Sequence, residues 1–354
     1  MQLLEQLVTT AGVPGREHRI RDFIRQQAEN VFDEIHTDTL GSLIGIRRPH
    51  PKKSKSNKTR GKPLKVMLAA HMDQIGFMVS HVDDKGFLRV NPVGGFDARN
   101  LFARLCLVCP ELTDPSKDMP GVLNPTGKPI HVASDDEKKK VPELHEFAID
   151  LGLKGKEVKQ KVSIGDMVVL QSPFQQVGRT VVSQCLDNRV ACWILIRALS
   201  EIEHHDCEIQ AVFTVQEEVG LRGAGTAAYS LEPDIGIAVD TTLCIDTPGV
   251  PEEQRVTQQG HGAALTIMDS ASIADLELFK QFETIAQQRD ILHQRSILSR
   301  GGTDSGTMQR SRTGIRTLTL SCPTRYIHTV TEMVHLDDLH ACRDLLRAYL
   351  EHAH

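Results

Sequence analysis

Four apolar runs in this chain each lead into a side chain able to hold a metal ion. Residues 64–70 run into His71-Met72-Asp73, residues 208–215 into Glu217-Glu218, residues 235–239 into Asp240, and residues 316–321 end shortly before His328. Segments of helical period lie between or beside them at 190–203, 224–230, 273–289 and 336–351. Strands that alternate with helices assemble into a largely parallel sheet with helices on its faces. Parallel strands all finish at one edge, and the carboxyl edge of an open α/β sheet is where such folds bind ligands. Residues far apart in sequence are therefore expected to converge there, and Asp187, just ahead of the helix predicted at 190–203, can join them.

The length of 354 residues exceeds one average domain. From residue 75 to 172 the texture changes to short β-rich runs such as 76–82 and 166–170, separated by Gly, Pro and charged turns. We read residues 74–177 as an inserted β domain that interrupts an α/β domain built from 1–73 and 178–354. A surface helix is expected over 19–31, after the turn-like Gly12-Val13-Pro14-Gly15. Strands at 42–46 and 64–70 are joined by a stretch carrying Arg47, Arg48, Lys52, Lys53, Lys55, Lys58 and Arg60. With no apolar residue between Ile46 and Leu64, that stretch reads as a mobile, solvated hairpin loop.

Composition removes several classes of function. Apolar residues make up 40% and charged residues 25%, the usage of an ordinary globular protein. A net charge of -5 offers no global attraction to nucleic acid or anionic lipid, and the basic stretch lacks the aromatic platforms that single-stranded nucleic acid requires. No run approaches the length of a membrane span, and residues 1–8 lack the basic and apolar regions of a signal peptide. A cytoplasmic protein is expected. The eight cysteines are scattered through apolar runs without the spacing of a disulfide scaffold. Cys106-x-x-Cys109 has no second pair to complete a zinc ribbon, so both are expected to be ordinary strand cysteines.

Imidazole and carboxylate without thiolate suit zinc, cobalt or manganese in a hydrolytic site. One cation needs about three protein ligands plus water. The five candidates His71, Asp187, Glu218, Asp240 and His328 therefore serve two cations only if one carboxylate is shared. Two divalent ions ~3.5 Å apart repel by roughly 19 kcal/mol at an effective dielectric of 20, which a shared anionic ligand offsets. A single strand-end carboxylate is ordinarily a helix cap or a surface ion pair. The joint pattern is harder to place that way, since Asp73 follows His71 at a spacing that lets it orient the imidazole.

At these residues the sequence resembles the TET-type dinuclear aminopeptidases, a family that includes glutamyl aminopeptidases and proteins once labelled endoglucanases. The markers span nearly the whole chain: Ala70-His71-Met72-Asp73-Gln74-Ile75-Gly76-Phe77, Leu186-Asp187-Asn188-Arg189, Val215-Gln216-Glu217-Glu218-Val219-Gly220-Leu221-Arg222-Gly223-Ala224, Asp246-Thr247-Pro248-Gly249, Gly301-Gly302-Thr303-Asp304 and Pro323-Thr324-Arg325-Tyr326-Ile327-His328. The resemblance implies a zinc-peptidase-like α/β fold, a mixed and largely parallel sheet sandwiched by helices, with a small inserted β-barrel that serves dimerisation. It implies two divalent cations per subunit, zinc or cobalt before manganese. His71 and Asp240 would hold one, Glu218 and His328 the other, with Asp187 between them, Asp73 orienting His71, and Glu217 as general base. The expected activity is hydrolysis of N-terminal residues from peptides by a homo-oligomer, a dodecamer built from dimers. Gln74 stands where many relatives carry Glu, which is expected to affect metal preference or the bonding around the site. Two other readings use the same residues. A dinuclear deacylase or carboxypeptidase would share the ligands and differ at the substrate end. An endoglucanase would need Glu217 and Glu218 to flank a glycosidic bond about 5 to 9.5 Å apart, which neighbouring residues do poorly.

Overall fold

The computed structural model describes residues 1–52, 62–129 and 131–353. The chain begins with α1 (Gln2–Thr9), α2 (His18–Ala28), β1 (Glu34–Thr37), β2 (Leu43–Arg47) and β3 (Lys65–His71). It then makes β4 (Gly76–Val82), β5 (Leu88–Val93), β6 (Arg104–Cys109), β7 (Met119–Pro125), α3 (Asp135–Lys139), β8 (Phe147–Asp150), α4 (Gly155–Lys161) and β9 (Met167–Leu170). After β10 (Gln175–Val177) and β11 (Thr180–Ser183) come α5 (Leu186–Glu201), β12 (Glu208–Thr214), α6 (Arg222–Leu231), β13 (Ile235–Leu243), β14 (Ala263–Met268), α7 (Leu276–Gln288) and β15 (His293–Ile297). The last elements are α8 (Ser305–Gln309), β16 (Arg316–Arg325), β17 (Glu332–His335) and α9 (Leu336–His352).

The main sheet is mixed, in the order β1-β2-β12-β3-β13-β16-β17-β11-β10, with β14 and β15 joined to it through β16. Its centre is parallel: β12 with β3, β3 with β13, and β13 with β16. Alternation along the strands feeds two cores. Val66, Leu68 and Ala70 of β3 face one cluster with Ile209, Ala211 and Phe213 of β12 and with helices α1, α2, α5, α7 and α9. Met67 and Ala69 face the other, which is shallower and filled by Ala224, Ala227 and Ala228 of α6 and Met308 of α8. Small residues are required there. A Cβ at Gly223 would fall 2.7 Å from the backbone nitrogen and oxygen of Val215.

Strands β4 to β9 leave the sheet and close on themselves as an antiparallel six-stranded barrel, in the order β4-β5-β8-β7-β6-β9. Its interior is a core of its own, formed by Phe77, Val79, Leu88, Cys106, Val108, Leu123, Phe147, Ile149 and Val168. Full closure leaves these strands without an unpaired edge. Cys106 and Cys109 lie buried on β6 outside any disulfide, and burial pushes each thiol up to about 12.

Two expectations need correction. The strands at 42–46 and 64–70 are not hairpin partners, because β12 lies between them, antiparallel to β2 and parallel to β3. Of the basic connection, residues 53–61 lie outside the described residues. The second helix ends at Ala28 instead of continuing to residue 31, and the Val31 N–H turns back to the Ala28 carbonyl at 2.9 Å.

Candidate metal centre

The parallel register sets the site. His71 ends β3 opposite Thr214, the last residue of β12. Ala69 pairs with Ala238 two residues earlier, so Asp240 lies level with His71 on β13, where it is paired with Ser321 of β16. His71, Thr214, Asp240 and Ser321 thus form one row across the carboxyl end of the sheet. Glu217 and Glu218 follow β12 in a turn entered through Gln216, whose φ is 57°. His328, with φ of 63°, lies in the loop between β16 and β17. Asp187 sits in a non-helical break at the start of α5, where the Asn188 side chain donates to the Val239 carbonyl at 3.0 Å and ties the break to β13.

Convergence is close. His71 Nε2 lies 3.3 Å from Asp187 Oδ1, 3.7 Å from Asp240 Oδ1 and 3.8 Å from Glu217 Oε2. His328 Nε2 lies 3.5 Å from Asp187 Oδ2 and 3.4 Å from Glu218 Oε2. The two oxygens of Asp187 therefore face different histidines. Three groups of donor atoms within 4.8 Å of one another result: His71 with Asp187 and Asp240, Asp187 with Glu218 and His328, and His71 with Glu217 and Glu218. The first two share Asp187. The third means that distance alone does not separate Glu217 from the ligands.

The electrostatics are those of a site with too much negative charge for its burial. Desolvation, with the charges of Asp240, Glu218 and Asp304 added, pushes the Glu217 carboxyl well above its ordinary range, against the pull of His71. Asp240 is driven up in the same way, by burial and then Asp187. Burial opposes charge on the histidines too. The surrounding carboxylates outweigh it, raising His71 well above its usual value and His328 to about 11. Asp187 also overcomes burial and is lowered, because both histidines lie against it. Asp187 Oδ1 and Glu218 Oε1 are buried without a hydrogen-bond partner. Buried carboxylate oxygens without donors are costly, and divalent cations are the natural counter-charge for such a donor set. The residues present fit two cations.

Asp73 contacts the His71 Nδ1 through its own carbonyl oxygen at 3.2 Å, with its carboxylate at 3.6 Å. That carboxylate accepts the backbone N–H of Glu217 on one oxygen and of Glu218 on the other, both at 3.1 Å. Gln74 is buried, with its Oε1 3.5 Å from Nη2 of the fully buried Arg189. Sequence reasoning gave no role to two carboxylates found here. Asp304, within the Gly301-Gly302-Thr303-Asp304 marker, accepts the Thr214 hydroxyl at 2.6 Å and is raised to about 6 by burial. Glu332 is raised to about 8 by burial and then by Asp187, and it bonds to the backbone of two candidate ligands. The marker could have pointed to Asp304. No local pattern points to Glu332.

The cluster opens into a cleft of about 310 Å³, whose lining also includes Leu243, Leu298, Ile327, Arg300, Gly301 and Gly302.

Known proteins resemble the chain over nearly its whole length. The sequence profile of the M42 glutamyl aminopeptidase family matches residues 53–345. The lysyl aminopeptidase of Pyrococcus furiosus is 30% identical over 357 residues, which covers 99% of this chain and 96% of that protein. The aminopeptidase APDkam598 of the archaeon Desulfurococcus kamchatkensis superposes with a TM-score of 0.91 at 35% identity, over 99% of this chain and 94% of its own. The TET1 peptidase of Pyrococcus horikoshii, described as able to assemble into a tetrahedron or a large octahedral shell, superposes with a TM-score of 0.84 at 28% identity, over 99% of this chain and 98% of its own.

Proposed function

The chain belongs to the M42 glutamyl aminopeptidase family and is a peptide-bond hydrolase; on that premise we propose that it removes residues from the free amino ends of peptides at a centre of two divalent cations. His71 and Asp240 would hold one cation, Glu218 and His328 the other, and Asp187 both. The observation that carries this reading is that the oxygens of Asp187 face His71 and His328 at 3.3 and 3.5 Å. The donor set suits zinc or cobalt, with manganese as the third candidate. When bound, the cations would polarise the scissile carbonyl and make a water acidic enough to attack near neutral pH.

Glu217 is the general base in this reading. Its carboxylate takes a proton from the attacking water as the water oxygen bonds to the scissile carbon. It returns that proton to the departing amine nitrogen as the carbon–nitrogen bond breaks, so one water is consumed and no net proton is released. A carboxylate positioned inside the cluster, with Glu217 Oε2 3.8 Å from His71 Nε2, is placed for both halves of that exchange. Asp73 holds the turn that presents Glu217 and Glu218, and it supports His71 through its carbonyl.

The same reading makes the protein a cytoplasmic homo-oligomer, a dodecamer built from dimers, with the α/β domain drawn from 1–73 and 178–354 and the dimer contact on the barrel segment 74–177. Exposed Phe102, Leu105 and Val122 on and around the barrel support that contact. Among the described residues no helix is long and apolar enough to cross a membrane.

The decisive assay compares aminoacyl-nitroanilides and short peptides with their N-acetylated forms, using purified, metal-reconstituted protein. Turnover of the free amines alone is expected. Equal rates on both would assign the site to a deacylase or endopeptidase. Light scattering reads the assembly, and a monomer at micromolar concentration with metals bound would remove the dodecamer.

A further inference from the structure

Glu332 is the first residue of β17, 2% exposed, and outside the candidate ligand set. Its Oε2 accepts the backbone N–H of Asp187 at 2.9 Å, and its Oε1 accepts the backbone N–H of His328 at 2.8 Å. Both N–H groups belong to irregular backbone. Asp187 occupies the non-helical start of α5 and His328 has positive φ, so these donors need a partner from elsewhere. The sheet explains why one side chain reaches both. Strand β17 pairs with β11 through Ser183 and Glu332, just ahead of Asp187, and with β16 through Thr324 and Val334, just ahead of His328. Glu332 sits where the two approaches meet.

Asp187 and His328 belong, with Glu218, to one of the donor groups, whereas the group of His71 and Asp240 shares only Asp187. We propose that Glu332 is a positioning residue for one of the two cations: its buried carboxylate clamps the backbones of Asp187 and His328 together and fixes the pocket these residues form with Glu218. The inference rests on the dinuclear reading above. Its consequence is asymmetric. Loosening the clamp disturbs two of three donors at one position and one of three at the other, while a residue that only supported the fold would weaken both alike. Supports of this kind are worth about 10- to 100-fold in metal affinity.

The test uses full-length protein stripped of metal and titrated with cobalt(II), followed by calorimetry and by the visible absorption of the bound ion. The parent is expected to take up two equivalents. Glu332→Gln, which sets an amide N–H₂ against a backbone donor, is expected to lose about 10- to 100-fold in affinity for one equivalent, to change that ion's absorption, and to leave the other within a few-fold. Glu332→Asp keeps the charge but is too short to span both donors. It is expected to show the same selective loss, and it carries the test should the Gln variant fail to fold. Parental affinity for both equivalents overturns the proposal. So does an equal weakening of both that tracks a lower melting temperature of the metal-free protein. A parent that binds fewer than two equivalents overturns the dinuclear reading and this proposal together, whereas two bound cobalts without turnover of free-amine peptides would count against the aminopeptidase reading alone.

Discussion

The carboxylate of Asp73 accepts the backbone N–H of Glu217 at 3.1 Å through Oδ1, and its second oxygen takes the next N–H in the same turn. Charge-assisted bonds to backbone donors in a buried site are among the stronger ones, and losing a partner leaves a donor unsatisfied at about 1–3 kcal/mol. Asp73→Asn keeps one acceptor and turns an amide N–H₂ against the other donor. The variant is expected to weaken metal binding and to lower kcat at saturating metal, because both glutamates are displaced. Metal titration with steady-state kinetics reads both effects. A change confined to His71, seen as loss of a single cation with kcat intact, would reduce Asp73 to an imidazole support.

Glu217 and Glu218 are chemically identical neighbours with different tasks. Glu217→Gln preserves shape and removes the proton acceptor, so it is expected to retain both cations and the oligomer while kcat falls by about two to four orders of magnitude with little change in KM. Glu218→Gln should instead lose metal. Turnover of Glu217→Gln within a few-fold of the parent would remove it from the mechanism, and loss of a cation would make it a ligand.

Asp187 couples the two cation positions. Dialysis against a chelator is expected to abolish turnover, and divalent metal to restore it. Asp187→Ala should weaken both equivalents in a metal titration. One equivalent retained at full affinity would mean that Asp187 serves a single ion.

Asp246 pairs with Arg325 through two contacts, Nε to Oδ1 at 2.6 Å and Nη2 to Oδ2 at 2.8 Å, and it also accepts the Gln259 N–H at 3.1 Å. Burial opposes the carboxylate here, but Arg325 and the Gln259 N–H outweigh it and lower the group from 3.8 to about 2. A depressed carboxyl stabilises the fold fully above its unfolded value, and that contribution is lost as pH falls towards the folded value. The difference corresponds to at most about 2 kcal/mol, which solvent around the partly exposed pair reduces. Asp246→Asn is expected to lower stability by up to about 2 kcal/mol at pH 7 and to remove part of the acid destabilisation between about pH 4 and pH 2. Chemical denaturation at fixed subunit concentration checks this, and identical pH profiles for parent and variant would show that the pair contributes nothing.

The sequence by itself determined the central strands and what stands at their ends. Residues 64–70, 208–215 and 235–239 are apolar because both faces of those strands are buried, and that pattern is local. Parallel strands finish at one edge, so His71 and Asp240 were expected at the same edge; they meet because β3 and β13 are neighbours. The change of texture after residue 75 likewise marked the β insertion that the structure closes into a barrel. Only the tertiary structure decided which strand lies beside which. Backbone ladders use the same N–H and C=O groups at every residue, so nothing local announced that β12 separates β2 from β3, or that β17 joins β11 to β16. The irregular segments were equally hidden. At the break at Asp187 and the positive φ of Gln216 and His328 the backbone N–H groups are taken up by side chains: Glu332 accepts that of Asp187 from 145 residues away and that of His328 from four, and Glu17 accepts that of Gln216 from 199. Periodicity reports which residues are buried. Which carboxylate reaches which backbone donor depends on how the packed sheet brings distant turns together.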